Sequence, residues 1–326
     1  MNRVIIIGAG NIGSRHLQSL AKSRLALSIT VVDPDPQALE ISKKRFSEGL
    51  TRETGGVSPK YLQNLKDVDA EFDVAIVATN SDVRRRVIES LLSKSRVKYL
   101  IIEKVAFQNS DDFESVIKLL NSKKVKAWVN LPRRVIPFYQ NLKTTLKPHE
   151  QVYCTVQGGE WGLACNAIHF VDCLSYLIEE TDYQVSCRYL DKDLKNSKRA
   201  GFVELTGSLH FQFKNGSGLN LISQNGTDAP PLTMIQTKSA QYVLQEEKGV
   251  GWTANRATGW EWKKIKFKWP YQSELTHKIV EEIISKGKCG LPPIEESYLI
   301  HKPLLESLLD HLEKVAGKKY SSCPIT

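Results

Sequence analysis

The chain opens with a glycine pattern that is typical of nucleotide binding. The segment "GAGNIG" (residues 8–13) follows the apolar run "RVIIIG", and Asp33 comes twenty residues after Gly13. Such glycines let backbone amides at a helix start approach a pyrophosphate, and the acidic residue accepts a hydrogen bond from a ribose 2′-hydroxyl. A tight turn without a ligand is the alternative. The pattern predicts a dinucleotide site formed by these residues: Gly8, Gly10, Asn11, Ile12, Gly13 and Asp33.

The same segment indicates which dinucleotide binds. A carboxylate at Asp33 repels a 2′-phosphate, and the following "DPDP" stretch has no Arg that would reverse the preference. The predicted cofactor is therefore NAD rather than NADP.

Two further segments follow apolar runs and are predicted to lie beside the cofactor. Ala78, Thr79 and Asn80 end the run "FDVAIVATN", and Glu103 and Lys104 end "KYLIIEK". A Glu-Lys pair is often a surface ion pair, but doubly wound sheets bind ligands at the carboxyl ends of their strands. We therefore assign both segments to the cofactor site.

A histidine in the middle of the chain has three interpretations. His169 lies in "GLACNAIHFVD" with Cys165 four residues before it, so both side chains share one helix face. The pair provides two metal ligands where a catalytic zinc site needs three, and no metal site is predicted. A buried core histidine and a proton-transfer group both remain open, since imidazole titrates near neutrality.

The predicted secondary structure places these residues in two domains. Residues 1–129 alternate between apolar runs and helical segments, which indicates a Rossmann-type doubly wound parallel sheet. Residues 130–326 contain helical segments around alternating runs between 183 and 267, which indicates an α+β domain with a large mixed or antiparallel open sheet. The first domain is therefore predicted to bind the dinucleotide.

With these segments in place, the chain resembles the glucose-fructose oxidoreductase, inositol dehydrogenase and MocA (Gfo/Idh/MocA) family of NAD(P)-dependent oxidoreductases. The resemblance is carried by "GAGNIGSRH", "VATNSDVRR", "EK", "GLACNAIHFVDCLSYL" and "YQSELTHKIVEEIISKGKCGLPPIEESYLIH". It implies that Lys104 and His169 flank the reacting carbon of a sugar-type substrate. His169 would then act as acid or base and Lys104 would orient the oxygen, as oxidation of a CH–OH group requires.

Two positions depart from the family pattern. The family has Asp four residues before the His, where this chain has Cys165 with Asn166 beside it, and "EKVAF" replaces the usual "EKP". A thiol is a weak hydrogen-bond acceptor, so Asn166, Asp172 or the substrate itself must replace the carboxylate. A family member that has lost catalysis and senses a ligand is the alternative function.

Several polar residues are predicted to bind the substrate. Asn130, Arg133 and Arg134 lie in "VNLPRR", where Arg could capture an anion in a bidentate manner, although a solvated helix start is an equal alternative. Trp161 could stack on a sugar ring or belong to an interface. The predicted substrate-binding set is therefore Asn130, Arg133, Arg134, Trp161, Asn166 and Asp172.

Composition limits the partners and the compartment. The 326 residues are 41% hydrophobic, as in soluble globular proteins, and their net charge of +9 favours an anionic substrate such as a nucleotide-linked sugar or sugar acid. The segment "NLPRRVIPFYQNLK" and the C-terminal segment resemble bacterial family members associated with surface-glycan synthesis, which implies that setting. The basic clusters lack a nucleic-acid-reading module, so nucleic-acid binding is not expected. The six cysteines show no metal or disulfide spacing, and no membrane span or targeting segment is evident, so we expect a cytoplasmic protein. The family resemblance implies that the second domain, residues 130–326, binds the substrate and forms a homodimer or homotetramer through its open sheet.

Overall fold

The computed structural model describes residues 1–50, 58–68 and 71–326, which form two compact units. The first contains Met1–Asn130 and Pro270–Glu295, and the second contains Leu131–Trp269 and Glu296–Thr326. The structure therefore differs from the predicted division at two places, of which the boundary residue Asn130, which belongs to the first unit, is the smaller. The segment Pro270–Glu295, which was predicted to belong to the second domain, is part of the first unit.

The first unit is built on a parallel sheet with the strand order β3-β2-β1-β4-β5-β6 in the described residues. Its strands are β1 (Asn2–Ile7), β2 (Leu27–Val32), β3 (Lys60–Leu62), β4 (Phe72–Val77), β5 (Val97–Ile102) and β6 (Lys126–Val129). Its crossover helices are α1 (Asn11–Leu20), α2 (Pro36–Gly49), α3 (Ser81–Lys94) and α4 (Ser110–Lys123). The predicted doubly wound sheet is confirmed, with the short strand β3 as an addition.

Local sequence explains these elements. The central strands are buried on both faces, with Val4, Ile5 and Ile6 fully inaccessible, so an uninterrupted apolar run is required. The Asp35 side chain accepts from the Gln37 amide at the start of α2, and Asn109 accepts from the Asp112 amide at the start of α4. Both are ordinary N-cap interactions.

The second unit contains a mixed sheet with the order β16-β15-β14-β13-β7-β12-β11-β8. Its first elements are α5 (Pro137–Thr145), β7 (Tyr153–Gly158), α6 (Leu163–Ile178), β8 (Tyr183–Leu190), β9 (Lys195–Asn196) and β10 (Val203–Glu204). The remaining strands are β11 (Gly207–Phe213), β12 (Gly218–Ser223), β13 (Leu232–Gln236), β14 (Ala240–Gln245), β15 (Val250–Asn255) and β16 (Lys263–Lys266). Strands β7 and β12 run parallel and the other neighbours antiparallel, so the predicted mixed sheet is confirmed. Strand β7 was not predicted.

The chain closes with the helices α7 (Gln272–Lys286) and α8 (Ile294–Ala316). Helix α7 belongs to the first unit because it packs on α1, where Lys22 Nζ donates to the Ser273 carbonyl at 3.0 Å. The Val129 amide also donates to the Pro292 carbonyl at 3.0 Å. Such long-range contacts are invisible to periodicity, which explains the error in the predicted boundary.

No helix in the described ranges combines the length and the apolar character needed to cross a membrane.

Candidate active site

Two glycines of the first loop are required by close packing. Gly8 has φ +93°, and a Cβ there would lie 2.8 Å from the Ala78 carbonyl carbon and 2.9 Å from the Thr79 nitrogen. A Cβ on Gly13 would lie 1.8 Å from the Gly8 oxygen. The loop after β1, the start of α1 and the end of β4 can approach this closely only because both side chains are absent.

Gly10 has a different role, because a Cβ there would have no atom within 4 Å. Gly10 is exposed and occupies the N-cap position of α1, where no side chain within the described part of the chain caps the first amides. Open space beside uncapped helical amides fits a pyrophosphate, which would accept hydrogen bonds from them. The predicted residues of this loop therefore form a cradle of the right chemistry.

Asp33 connects this loop to the end of β2. Its Oδ2 accepts from the Ala9 amide at 2.6 Å, and its Oδ1 accepts from the Asp35 amide at 2.9 Å. Each carboxylate oxygen has a second lone pair, so Asp33 can fix the loop and still accept a ribose hydroxyl.

The predicted segment after β4 lies against the same loop. The Ala78 amide donates to the Ile7 carbonyl at 2.8 Å, and Asn80 is the N-cap residue of α3. The Thr79 hydroxyl oxygen is buried and has no hydrogen-bond partner among residues 1–50, 58–68 and 71–326. A buried hydroxyl left in this state is a candidate for contact with a bound molecule.

Glu103 belongs to a buried hydrogen-bond network rather than pointing at the cofactor site. Its Oε1 lies 2.8 Å from His16 Nε2, while His16 Nδ1 lies 2.8 Å from Thr276 Oγ1. Asn130 Nδ2 donates to both Glu103 Oε1 and Gln272 Oε1, the latter at 2.9 Å. Burial raises the pKa of the Glu103 carboxyl, but the interactions with His16 and Asn130 outweigh it and leave the pKa below its ordinary value.

This network changes the predicted roles of Glu103 and Asn130. Both side chains are almost fully buried and bond to each other. Their polar atoms therefore support the main chain that carries Lys104, and the amide donors of Asn130 are not directed at a substrate.

Lys104 itself is half-buried at the carboxyl end of β5, as predicted. Its neighbourhood contains a residue that the sequence analysis missed. Arg84, at the start of α3, is 1% exposed, and its guanidinium donates to the carbonyls of Glu103 at 2.7 Å and Ala106 at 2.9 Å, and to those of Val105 and Thr79. The Lys104–Val105 peptide bond is cis.

A sequence signal for Arg84 was available but was obscured by its neighbours. The run "RRR" at 84–86 looks like a solvated basic cluster, although Arg84 lies four residues before Ile88 and seven before Leu91, on the buried helix face. Helical periodicity applied to each arginine separately would have found it.

In the second unit, α6 presents His169 as predicted, with its side chain half-buried. Gly162, with φ +80°, begins the helix, and the Ala164 amide donates to Glu204 Oε2 at 3.0 Å. Cys165 Sγ donates to the Gly162 carbonyl at 3.5 Å. The Cys165 thiol is therefore a part of the helix start.

Two other predicted substrate residues are near this helix start. Asn166 Nδ2 donates to the Trp161 carbonyl at 2.9 Å, and Trp161 Nε1 donates to the Ile222 carbonyl at 2.8 Å. The Trp161 ring meets Phe170 edge-on, with centroids 5.6 Å apart. Trp161 remains partly exposed.

The two predicted arginines form buried ion pairs instead of an open anion site. Arg134 Nε donates to both carboxylate oxygens of Asp172 at 2.9 Å, and its Nη1 lies 2.7 Å from Glu296 Oε1. Arg133 Nη2 lies 2.7 Å from Glu246 Oε2, with the guanidinium carbon 4.0 Å from the Phe170 ring centroid.

These contacts correct the prediction for three residues. The predicted anion-binding role of Arg133 and Arg134 finds no support, because carboxylates of their own unit already occupy both guanidinium groups. The same holds for Asp172, which is fully buried and bonded to Arg134. Burial raises its pKa to about 6 despite the opposing charge of Arg134.

No group of three potential metal ligands occurs in the described residues. A cavity of about 950 Å³ lies at the amino ends of β1, β4 and β5, lined by basic residues such as Lys94, Lys98 and Lys123. This is the sheet edge opposite the glycine loop, and two of these lysines lie in the last turns of α3 and α4, where cations favour the helix dipole. The cavity is therefore separate from the cofactor site.

Comparison with known proteins finds a family match for the N-terminal part of the first unit. No protein of curated function matches the chain. Residues 2–131 match the model of the Gfo/Idh/MocA family, described as an oxidoreductase family with an NAD-binding Rossmann fold.

The whole chain is similar to several solved structures. A Gfo/Idh/MocA family oxidoreductase from Vibrio cholerae is 17% identical with a TM-score of 0.69, covering 98% of this chain and 100% of that one. The UDP-N-acetylglucosamine 3-dehydrogenase of Acidithiobacillus ferrooxidans is 14% identical with a TM-score of 0.68, covering 94% and 96%. The scyllo-inositol dehydrogenase of Lactobacillus casei, solved with NAD(H) and scyllo-inositol, is 15% identical with a TM-score of 0.67, covering 97% and 99%. Residues 2–131 therefore match the NAD-binding Rossmann fold of the Gfo/Idh/MocA oxidoreductase model, and the whole chain has the fold of these solved structures.

Proposed function

We propose that this protein is an NAD-dependent dehydrogenase or reductase that acts on a ring CH–OH group, or the corresponding ketone, of a sugar or sugar derivative. One observation carries the proposal. The open cradle at Gly10, the Asp33 carboxylate and Lys104 all lie at the carboxyl edge of one parallel sheet. Doubly wound sheets bind dinucleotides at this edge, and Lys104 places a cation beside it.

The residues of this chain divide the chemistry between them. NAD, when bound, accepts or returns the hydride. The Lys104 ammonium orients the substrate oxygen and stabilises its charge, while an imidazole nitrogen of His169 takes the hydroxyl proton in oxidation and gives it back in reduction. The buried partners of Glu103 hold the main chain immediately before Lys104.

The substrate is proposed to be anionic, as a nucleotide-linked sugar or sugar acid would be, with surface-glycan synthesis as the setting. This part of the proposal now depends on the net charge of +9, because Arg133 and Arg134 are committed to internal ion pairs. The solved nucleotide-sugar and inositol dehydrogenases of the same fold make both substrate groups reasonable to test.

The test is NAD⁺ reduction, followed by absorbance, over a panel of nucleotide sugars, sugar acids and inositols. With the substrate found, His169→Ala is expected to lower kcat on the order of 10²- to 10⁴-fold and to leave NADH affinity unchanged. The exposed His149 provides the matched control, and His149→Asn should behave as wild type. Unchanged turnover in His169→Ala would refute the acid–base assignment.

A second candidate function is an NAD-binding sensor without turnover. The specific observation in its favour is that Cys165 donates to a helix-start carbonyl and Asp172 is held by Arg134, so neither supplies the carboxylate of the family pattern. A sensor would show ligand-dependent thermal stabilisation of the NAD-loaded protein with no hydride transfer across the whole panel. Any robust hydride transfer that depends on Lys104 excludes it.

We also propose a homodimer or homotetramer formed through the open sheet face. Cross-strand register places the exposed side chains of Tyr153, Tyr189, Met234 and Trp252 on one face of the eight-stranded sheet. Several large apolar side chains exposed on one sheet face favour a protein contact. Analytical ultracentrifugation should show Trp252→Asp as a smaller species than wild type, and an unchanged mass would refute this contact.

A further inference from the structure

Arg84 is almost completely buried, unlike the two arginines that follow it in the sequence. Arg85 forms surface ion pairs with Glu89 and Asp112, and Arg86 is exposed, whereas Arg84 is 1% exposed. Burying a guanidinium is costly unless its donors are satisfied. Four hydrogen bonds of its guanidinium are therefore evidence about what it does.

All four of those contacts are to main-chain carbonyls. Nη1 donates to Glu103, Val105 and Ala106, and Nη2 donates to Thr79. The carbonyls of Glu103 and Val105 belong to the residues on either side of Lys104, and Ala106 is two residues after Lys104. The fourth belongs to the end of the neighbouring strand β4, so one side chain joins the two strand ends.

The contact at Thr79 extends this link to the cofactor cradle. A Cβ on Gly8 would lie 2.9 Å from the Thr79 nitrogen, so the glycine loop packs directly on this peptide. The main chain at Thr79 therefore touches the loop on one side and is bonded to Arg84 on the other. A movement of Arg84 would disturb Lys104 and the cofactor-facing backbone together.

We propose that Arg84 is a positioning residue that fixes the main chain on both sides of Lys104 and at Thr79, and thereby sets the place of the Lys104 ammonium relative to the cofactor. The inference rests on the proposed function in giving Lys104 a catalytic role. Arginine suits this task because its planar fork offers five donors in a fixed geometry. A lysine offers three donors on one nitrogen and can replace only some of the contacts.

The test compares Arg84→Met and Arg84→Lys with Arg86→Met, which removes an exposed cation from the same helix. Amide hydrogen exchange is measured for residues 78–80 and 103–107. The titration of Lys104 is followed by NMR after reductive ¹³C-methylation, and NADH binding by its fluorescence. These measurements need no knowledge of the substrate.

We expect Arg84→Met to raise exchange at 103–107 on the order of tenfold or more, to shift the Lys104 titration and to change the emission of bound NADH. Arg84→Lys should recover part of each change, and Arg86→Met should match wild type. If Arg84→Met does not fold, raised exchange at 103–107 and a shifted Lys104 titration in Arg84→Lys would support the proposal.

The proposal is overturned if the folded variants lose only global stability while local exchange, the Lys104 titration and NADH emission stay as in wild type. Arg84 would then be an ordinary core residue. Failure of the proposed function is a different result, because wild-type protein would then show no hydride transfer over the whole substrate panel. The exchange and titration measurements would still decide the role of Arg84 in that case.

Discussion

The carboxyl edge of the first sheet and the helix α6 region of the second unit were both predicted to carry the chemistry, but they differ in how their polar residues are used. At the sheet edge, the glycine loop leaves amides uncapped and open space beside Gly10. Around α6, buried ion pairs join Arg133 to Glu246 and Arg134 to Asp172. The first region is arranged to receive a charged molecule, and the second satisfies most of its charges internally.

The difference shows which sequence patterns predict that a residue contributes to a binding site. A glycine motif encodes backbone geometry within about ten residues, so its function follows from local sterics. An arginine near a strand end indicates only a positive charge. The acidic residue that pairs with it can lie far away in the sequence and is not evident from the local segment. Glu246 and Glu296, which pair with the two arginines, lie more than 100 residues further along the chain.

Replacing Arg134 tests this contrast most severely. In Arg134→Met the fully buried Asp172 loses its bidentate partner, and we expect the free energy of unfolding to fall by about 3–5 kcal/mol at pH 8. Urea unfolding followed by circular dichroism measures this change. A stability within 1 kcal/mol of wild type, combined with loss of substrate binding, would return Arg134 to the anion site.

The pH dependence of the same variant sharpens the test. Burial already raises the pKa of Asp172 to about 6 in the folded protein, against 3.8 as its ordinary value, and removing Arg134 raises it further. The folded variant therefore takes up a proton that the unfolded chain does not, which stabilises it as the pH falls below the folded pKa. The stability loss should be smaller at pH 5 than at pH 8, and Arg134→Met with Asp172→Leu should remove this dependence.

Two glycine variants separate packing from binding at the sheet edge. Gly13→Ala places a methyl group 1.8 Å from the Gly8 oxygen, so we expect a loss of about 2–3 kcal/mol in the free energy of unfolding. Gly10→Ala places the methyl group in open space, so its stability should stay within about 0.5 kcal/mol of wild type.

The same pair is then compared for cofactor binding by NADH fluorescence. Gly10→Ala should weaken NADH binding by roughly tenfold, because its methyl group occupies the space next to the uncapped amides. Wild-type NADH affinity in Gly10→Ala would contradict the proposed cradle and leave the loop as a packing device.

Most of the first unit was predictable because its signals are local. Continuous apolar runs predicted its long strands, the helical segments between them predicted its crossover helices, and the three-residue strand β3 was not predicted. The docking of α7 on α1 was not predictable, since it depends on contacts such as that of Lys22 with the Ser273 carbonyl, about 250 residues apart. The network around Glu103 was hidden for the same reason, because Gln272 and Thr276 come from α7.

In the second unit, the sequence predicted α6 and the hairpin strands but not what each polar side chain would meet. Periodicity identifies the buried face of a helix and does not identify the partner of a polar group on that face. Asp172 illustrates this limit. It shares α6 with His169, yet its oxygens belong to Arg134, which precedes it by 38 residues.

The smallest expected effect concerns the choice of cofactor at Asp33. In Asp33→Asn the side-chain oxygen can still accept from the Ala9 amide, so the tie between the glycine loop and β2 should persist. The new Nδ2 group cannot accept from the Asp35 amide, so that contact is lost together with the negative charge beside the ribose site. We expect NADH affinity to fall by about tenfold or less and NADPH affinity to rise, because repulsion of a 2′-phosphate is removed. Asp35→Asn is the matched control: it removes a charge two residues away and keeps the N-cap of α2, so the ratio of the two affinities should not move. An unchanged ratio of NADH to NADPH affinity in Asp33→Asn would mean that Asp33 serves only to tie the loop to β2. The Asp33 carboxylate would then have a purely structural role, as the Asp172 carboxylate has in the α6 region.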